Sequence, residues 1–199
     1  MSGLSTVSWV TNSVAGTKPG KRERLIEAAV RVFYERGVEK TTIADIARVA
    51  EVPVGNVYYY FKTKDQLIEA AIGAHARTLD QLIAELNRLE SPRDRLKRLI
   101  DGWVQERELA ARYGCPFGSL TAELHKRDDP LEGRASEVMQ ALVDYAAEQF
   151  EAMGRADGKQ LGIALIASYQ GISLLTNAFR DPELMVAEGK RLQDWIDSL

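Results

Sequence analysis

Signals that start an α-helix recur along the whole of this 199-residue chain, and signals for a strand do not. A Ser, Thr or Asp followed three residues later by an acid or Gln can satisfy the free amides at a helix start. That pairing occurs at Thr42–Asp45, Thr63–Gln66, Ser91–Asp94, Asp129–Glu132 and Asp157–Gln160. Pro92, Pro130 and Pro182 each follow a capping residue, where the missing N–H costs nothing. Gly37, after Glu35 and Arg36, fits a left-handed C-terminal cap. This punctuation marks nine helices, at 21–36, 42–50, 54–60, 63–88, 92–112, 116–126, 130–153, 158–179 and 182–198, so the expected fold class is all-α.

With 45% hydrophobic residues the chain can bury a core without staples. Its one cysteine, Cys115, cannot close an intrachain disulfide, and its two histidines, His75 and His125, lie far apart. Disulfide frameworks and zinc modules are therefore excluded, and no metal site is expected. Residues 1–20 carry no acid and one base, Lys18, without hydrophobic period, and read as a disordered arm. They lack the basic start and unbroken apolar stretch of a secretory signal, so a cytoplasmic protein is expected. The run from Gln160 to Phe179 has no charge and the length of a bilayer span. Inserting it would also carry Ser168, Gln170, Ser173, Thr176 and Asn177 into hydrocarbon, so it reads as a helix buried in protein and no membrane partner is expected.

A net charge of −3 argues at first against a partner as acidic as DNA. Its distribution says otherwise. Residues 1–65 hold ten Lys/Arg and seven Asp/Glu, a balance of +3, while the other 134 hold sixteen and twenty-two, a balance of −6. The acidity belongs to the C-terminal part. A small N-terminal surplus alone is more often a solvated face than a nucleic-acid site.

The pattern that carries function is a tight turn at Glu51-Val52-Pro53 between two short helices, a helix-turn-helix arrangement. On a helical wheel Val57 and Phe61 share one face, and with Ile43, Ile46, Ala47, Ala50 and Val52 can close a small core against Leu25, Ala29, Val32 and Phe33. Gly55, Asn56 and Tyr59 point the other way, flanked by Tyr58 and Tyr60, so the helix exposes three tyrosines and an asparagine. One tyrosine can pack on the following helix; successive residues about 100° apart cannot all do so. In a major groove, Asn can pair with adenine, Gly admits the backbone, and Tyr can touch a thymine methyl or a phosphate. Lys62 and Lys64, beside the amides of the Thr63 cap, then stand where a phosphate would lie.

Residues 21–68, KRERLIEAAVRVFYERGVEKTTIADIARVAEVPVGNVYYYFKTKDQLI, resemble the DNA-binding domain of the TetR family of bacterial transcriptional repressors, most specifically in VGNVYYYFKTKDQL. The resemblance implies an operator-binding homodimer with an N-terminal domain at 21–68 and an inducer-binding and dimerisation domain at 69–199. By position, Thr42, Tyr58, Tyr59 and Lys64 match phosphate-gripping residues, and Val54, Gly55 and Asn56 match the groove-facing start of the recognition helix. Two positions depart from the pattern. Glu51 stands where the turn usually has Gly, which costs roughly 1 kcal/mol if that backbone is left-handed. Val54 stands where a polar or basic base-reader is frequent.

In the C-terminal part, Leu161, Leu165, Ser168, Ile172, Leu175 and Phe179 follow steps of three and four, as do Met185, Gly189, Leu192, Ile196 and Leu199. Both stripes have the form of helix-packing seams, and two such helices from each of two subunits would make a dimeric four-helix bundle; packing within one chain is the other reading. Candidate inducer contacts are His75, Trp103, Phe117, Thr121, Tyr145, Phe150, Tyr169, Gln170 and Asn177, large or polar residues on otherwise apolar stripes. They suit a mainly apolar or aromatic small molecule, although each alone fits ordinary core. Cys115 precedes Pro116 at a helix start, where free amides favour thiolate. The segment GCPFGSLTAEL resembles one in TetR-type regulators, some of which sense oxidants or electrophiles, so a redox role stands beside simple packing. An enzyme is the rival class. Cys115 and His125 on one helix would sit about 15 Å apart, too far for proton transfer. No GxGxxG, Walker loop or His-rich motif is present and no cofactor is expected. A helical protein-interaction module is the remaining alternative.

Overall fold

The computed structural model describes residues 19–127 and 130–199, and all regular structure among them is helical. The helices are α1 Lys21–Arg36, α2 Ile43–Val49, α3 Val54–Tyr60, α4 Lys64–Leu86, α5 Pro92–Gln105, α6 Arg107–Tyr113, α7 Pro116–Lys126, α8 Glu132–Ala152, α9 Gly158–Phe179 and α10 Glu183–Asp197. The nine-helix plan is present with its fifth member broken in two. At Glu106 (φ −94°, ψ 13°) the backbone leaves the helix, and its N–H reaches both Gly102 and Trp103 carbonyls. The break lets α5 pack on α10 and α8 while α6 turns to pack on α9. The arm at residues 1–20 lies almost wholly outside the described residues, as does the cap at Asp129.

Three of the caps read from sequence are formed. Thr42 and Asp45 make a reciprocal box, with Asp45 N–H donating to Thr42 Oγ1 at 3.1 Å and Thr42 N–H to the carboxylate at 3.1 Å. Gln66 N–H donates to Thr63 Oγ1 at 3.3 Å and Asp94 N–H to Ser91 Oγ at 3.3 Å. Asp157 does not cap α9. Its carboxylate is taken by the Arg155 guanidinium at 3.1 and 3.2 Å, a charge-assisted pair that outcompetes a neutral amide. Gly37 has the positive φ expected of it (79°), but its ψ of 162° is extended rather than left-handed helical.

The first three helices enclose a small core of Leu25, Ala29, Val32, Ile46, Ala47 and Val57, all essentially inaccessible. α4 begins at this head and runs on into the body, so the 68/69 boundary falls inside a continuous helix. In the body α9 lies closely against α8. A Cβ added at Gly162 would stand 2.7 Å from the Ala147 nitrogen and 2.9 Å from the Val143 oxygen, which is why that position has no side chain.

Of the two expected seams, the one on α10 packs within the chain and the one on α9 is only partly open. In α10, Met185, Gly189, Leu192 and Ile196 are buried within the chain, and a Cβ at Gly189 would meet Val104 of α5 at 2.5 Å. In α9, Leu165 is fully buried and Leu161, Ser168 and Ile172 are half-buried; only Leu175 and Phe179 of that stripe are exposed. The open apolar face of α9 is rotated from the expected one and runs through Ile163, Ala167, Gly171, Leu174, Leu175 and Phe179. α9 has a span's length and a mean hydropathy of 1.3, yet its opposite face, with Tyr169, Ser173 and Thr176, is buried in protein.

Candidate nucleic-acid interface

α2 ends in a pair of backbone hydrogen bonds: Val52 N–H donates to Ala47 carbonyl at 2.9 Å and Glu51 N–H to Arg48 carbonyl at 3.2 Å. This 6→1, 5→2 pattern puts Glu51 in the left-handed position at φ 53°, where glycine is the unstrained residue. Buried Val52 anchors the turn and α3 emerges with only Val57 fully buried. Tyr58 is 47% and Tyr59 80% exposed, with Val54, Gly55 and Asn56 also open. Tyr60 is half-buried on the core and meets Tyr59 edge-on at 5.0 Å, so two tyrosines are presented, not three. A Cβ at Gly55 would meet nothing within 4 Å, leaving that surface clear for an incoming backbone or base. Among the described residues the Asn56 side chain has no hydrogen-bond partner.

Around α3 the bases take distinct positions. Lys62 reaches back to the Tyr58 carbonyl. Lys64 is half-buried, with Nζ 3.4 Å from the Glu39 carbonyl; burial, and then the neighbouring Arg127 charge, lowers its pKa. Thr42 is exposed, its hydroxyl donating to Asp45 at 2.6 Å, and that bond holds the Asp45 carboxyl below its ordinary range. Arg48, which sequence reasoning passed over, is exposed on α2 and pairs with Asp45 at 2.8 Å. Arg22 lies 5.5 Å from the Phe61 ring centre.

The body places the candidate inducer contacts in separate neighbourhoods. Trp103 stacks on Tyr169 at 4.2 Å and 18°. Gln170 donates to Cys115 Sγ at 3.4 Å and to Met139 Sδ at 3.6 Å. Burial, then the Cys115 thiol, raises the Tyr169 pKa. Trp103, Tyr169, Gln170, Cys115 and Met139 form one inner cluster. In and around it, among the described residues, Trp103 Nε1, Ser173 Oγ and Thr176 Oγ1 are buried without a hydrogen-bond partner. Cys115 itself is 5% exposed and caps α7 by accepting the Gly118 N–H at 3.4 Å. Asn177 donates to the Ala111 carbonyl at 3.1 Å, tying α9 to α6. Phe117 meets His75 edge-on at 4.8 Å, and Thr121 is half-buried further along α7. Tyr145 donates to Asn87 at 3.2 Å and Phe150 packs against Trp195, both away from the inner cluster and set in ordinary core.

A short helix bedded on few anchors, with an exposed polar and aromatic face and a fixed turn before it, defines a helix-turn-helix DNA-binding head on a helical body. The family model described as bacterial regulatory proteins, tetR family, matches residues 25–71, and the tetracyclin repressor-like C-terminal domain matches 92–187. The HTH-type transcriptional regulator BetI of Stenotrophomonas maltophilia is 36% identical over 140 residues, covering 68% of this chain and 69% of that protein. An uncharacterized HTH-type regulator of Lactococcus lactis is 29% identical over 167 residues, covering 80% and 85%. In fold, a TetR transcriptional regulator from Legionella pneumophila superposes with TM-score 0.80 at 16% identity, covering 92% of this chain and 98% of that one. The chain belongs to the TetR family of helix-turn-helix transcriptional regulators, a family of regulators and not of enzymes.

Proposed function

We propose that this protein binds a palindromic operator as a homodimer in the cytoplasm and is released from it by a small, mainly apolar or aromatic inducer. The observation that carries the reading is the α3 face, where Tyr58, Tyr59 and Asn56 are exposed while Val57 alone anchors the helix fully. On this reading residues 21–68 read DNA and 69–199 dimerise and respond, with α4 running through both. Asn56 reads a base edge; Gly55 and Val54 line the groove; Thr42, Tyr58, Tyr59, Lys62 and Lys64 hold phosphates.

Dimerisation uses the last two helices through the open α9 face. Leu174 and Phe179, each 66% exposed, flank small Gly171 and Ala167 there, and so much exposed apolar surface marks an interface. Two heads so held would meet half-sites roughly 34–36 Å apart. The inducer enters the Trp103–Tyr169 region, where an aromatic ligand with a polar edge would give the orphaned Trp103, Ser173 and Thr176 atoms their partners. Selecting operators from random DNA with the full chain tests the reading: an inverted repeat should emerge, and unselective recovery of all sequences would refute it.

A further inference from the structure

Helices α1, α4 and α7 and the end of α6 leave a cavity of about 200 Å³ where the head meets the body. Its walls include Phe33 and Tyr34 from α1, Tyr113 from α6 and Leu120 from α7. Tyr34 is fixed there, its hydroxyl donating to the Gly114 carbonyl at 2.7 Å and its ring edge-on to Tyr113 at 5.3 Å. His75 lines the cavity from α4 and is 4% exposed. Among the described residues its ring nitrogens have no hydrogen-bond partner. A ring nitrogen that opens on the cavity without a protein partner is free to exchange a hydrogen bond with a bound group. Burial holds its pKa down at about 4, so near neutral pH one nitrogen donates and the other accepts.

Glu123 also lines the cavity and does a second job. Its carboxylate accepts the backbone N–H groups of Val38 at 2.7 Å and Glu39 at 2.6 Å, pinning the α1–α2 turn of the head to α7. Gly37 permits this approach, since a Cβ there would stand 3.0 Å from Glu123 Oε2 on a backbone with φ 79°.

We propose that this junction cavity binds a single-ring aromatic or heteroaromatic molecule, neutral or cationic, which hydrogen-bonds His75 and, when it carries an amine, draws Glu123 away from the α1–α2 turn. The volume fits: a cavity of about 150 Å³ holds benzene, so this one holds a ring with a short substituent. Anions are disfavoured, because among the described residues the lining has an acid and no Lys or Arg. A carboxylate drawn toward a ligand ammonium weakens its two backbone bonds, so occupancy biases the head away from the geometry they fix. The effect on DNA rests on the operator-binding reading above; binding in the cavity does not.

The test uses the full chain with benzylamine, benzyl alcohol and benzoate, followed by calorimetry and by NMR of the His75 ring. Benzylamine and benzyl alcohol should bind at millimolar concentration or below and shift the His75 signals, benzylamine more tightly, while benzoate does not bind. Ser119→Trp, which places bulk in the lining from an exposed position, should weaken both by about tenfold or more. Glu123→Gln should erase the preference for the amine. Binding that leaves the His75 signals unmoved, equal binding by Ser119→Trp, or no binding of either ring overturns the site. If Ser119→Trp does not fold, the His75 shift in the parent chain decides. On a selected operator, saturating benzylamine should lower affinity by about fivefold or more. Cavity binding with unchanged operator affinity overturns the coupling, whereas failure to select any DNA refutes the operator reading and leaves the calorimetric result standing.

Discussion

Acid should destabilise this chain more than it destabilises the variant His75→Phe. Burial lowers the His75 pKa to about 4, against about 6.5 for a free imidazole. A depressed folded-state value means that the unfolded chain takes up the proton first. The contribution is therefore complete above about pH 6.5 and is lost as pH falls toward 4. A gap of about 2.5 pH units at 1.36 kcal/mol each is about 3 kcal/mol in full, of which roughly 2 is lost by pH 5. Against a typical stability of about 5–15 kcal/mol that is readily measured. Phenylalanine keeps the edge contact with Phe117 and cannot protonate. Urea unfolding of both proteins at matched concentration, from about pH 7.5 down to about pH 5, isolates the effect because the carboxylates titrate alike in each. The stability difference should move by roughly 2 kcal/mol in favour of the variant. Parallel curves would show that His75 titrates normally, and that its burial is not what the structure describes.

Three further outcomes are expected. Leu174→Asp puts a charge on the open face of α9 and should convert the dimer to monomer in sedimentation without unfolding it; an unchanged dimer would move the interface elsewhere. Glu51→Gly relieves a left-handed backbone at φ 53° and should raise stability by about 0.5 kcal/mol in urea unfolding, the gain being trimmed by the freer unfolded chain. Lys64→Ala should weaken binding to selected and random DNA alike, whereas Asn56→Ala should cost about 1–3 kcal/mol on the selected operator and little on random DNA; equal losses for Asn56→Ala would remove it from base recognition.

Capping patterns were legible in the sequence, and the competition for their partners was not. The Thr42, Thr63 and Ser91 caps involve partners three residues apart, and each formed. Asp157 failed because Arg155, two residues away, offers a charged partner that a capping pattern ignores. The turn residue Glu51 was readable as a departure from the family pattern, and its positive φ makes that departure a strained one. On α9 periodicity had little to discriminate, since an uncharged helix has apolar residues on several faces. The stripe through Leu165 turned inward and the one through Leu174 stayed open. The α10 stripe was a true seam whose partner is α5 of the same chain. Nothing in spacing connects Glu123 with Val38 and Glu39, more than eighty residues earlier. That contact exists only because α7 packs beside α1.

The central claim is that the α3 face of a dimer reads DNA, and a salt series on a selected operator tests it most directly. With Lys62 and Lys64 on each of two heads at phosphates, log affinity should fall against log salt with a slope of about −4 or steeper, and the selected site should outcompete scrambled DNA by at least about a thousandfold. A flat salt dependence with equal binding to scrambled DNA would contradict it.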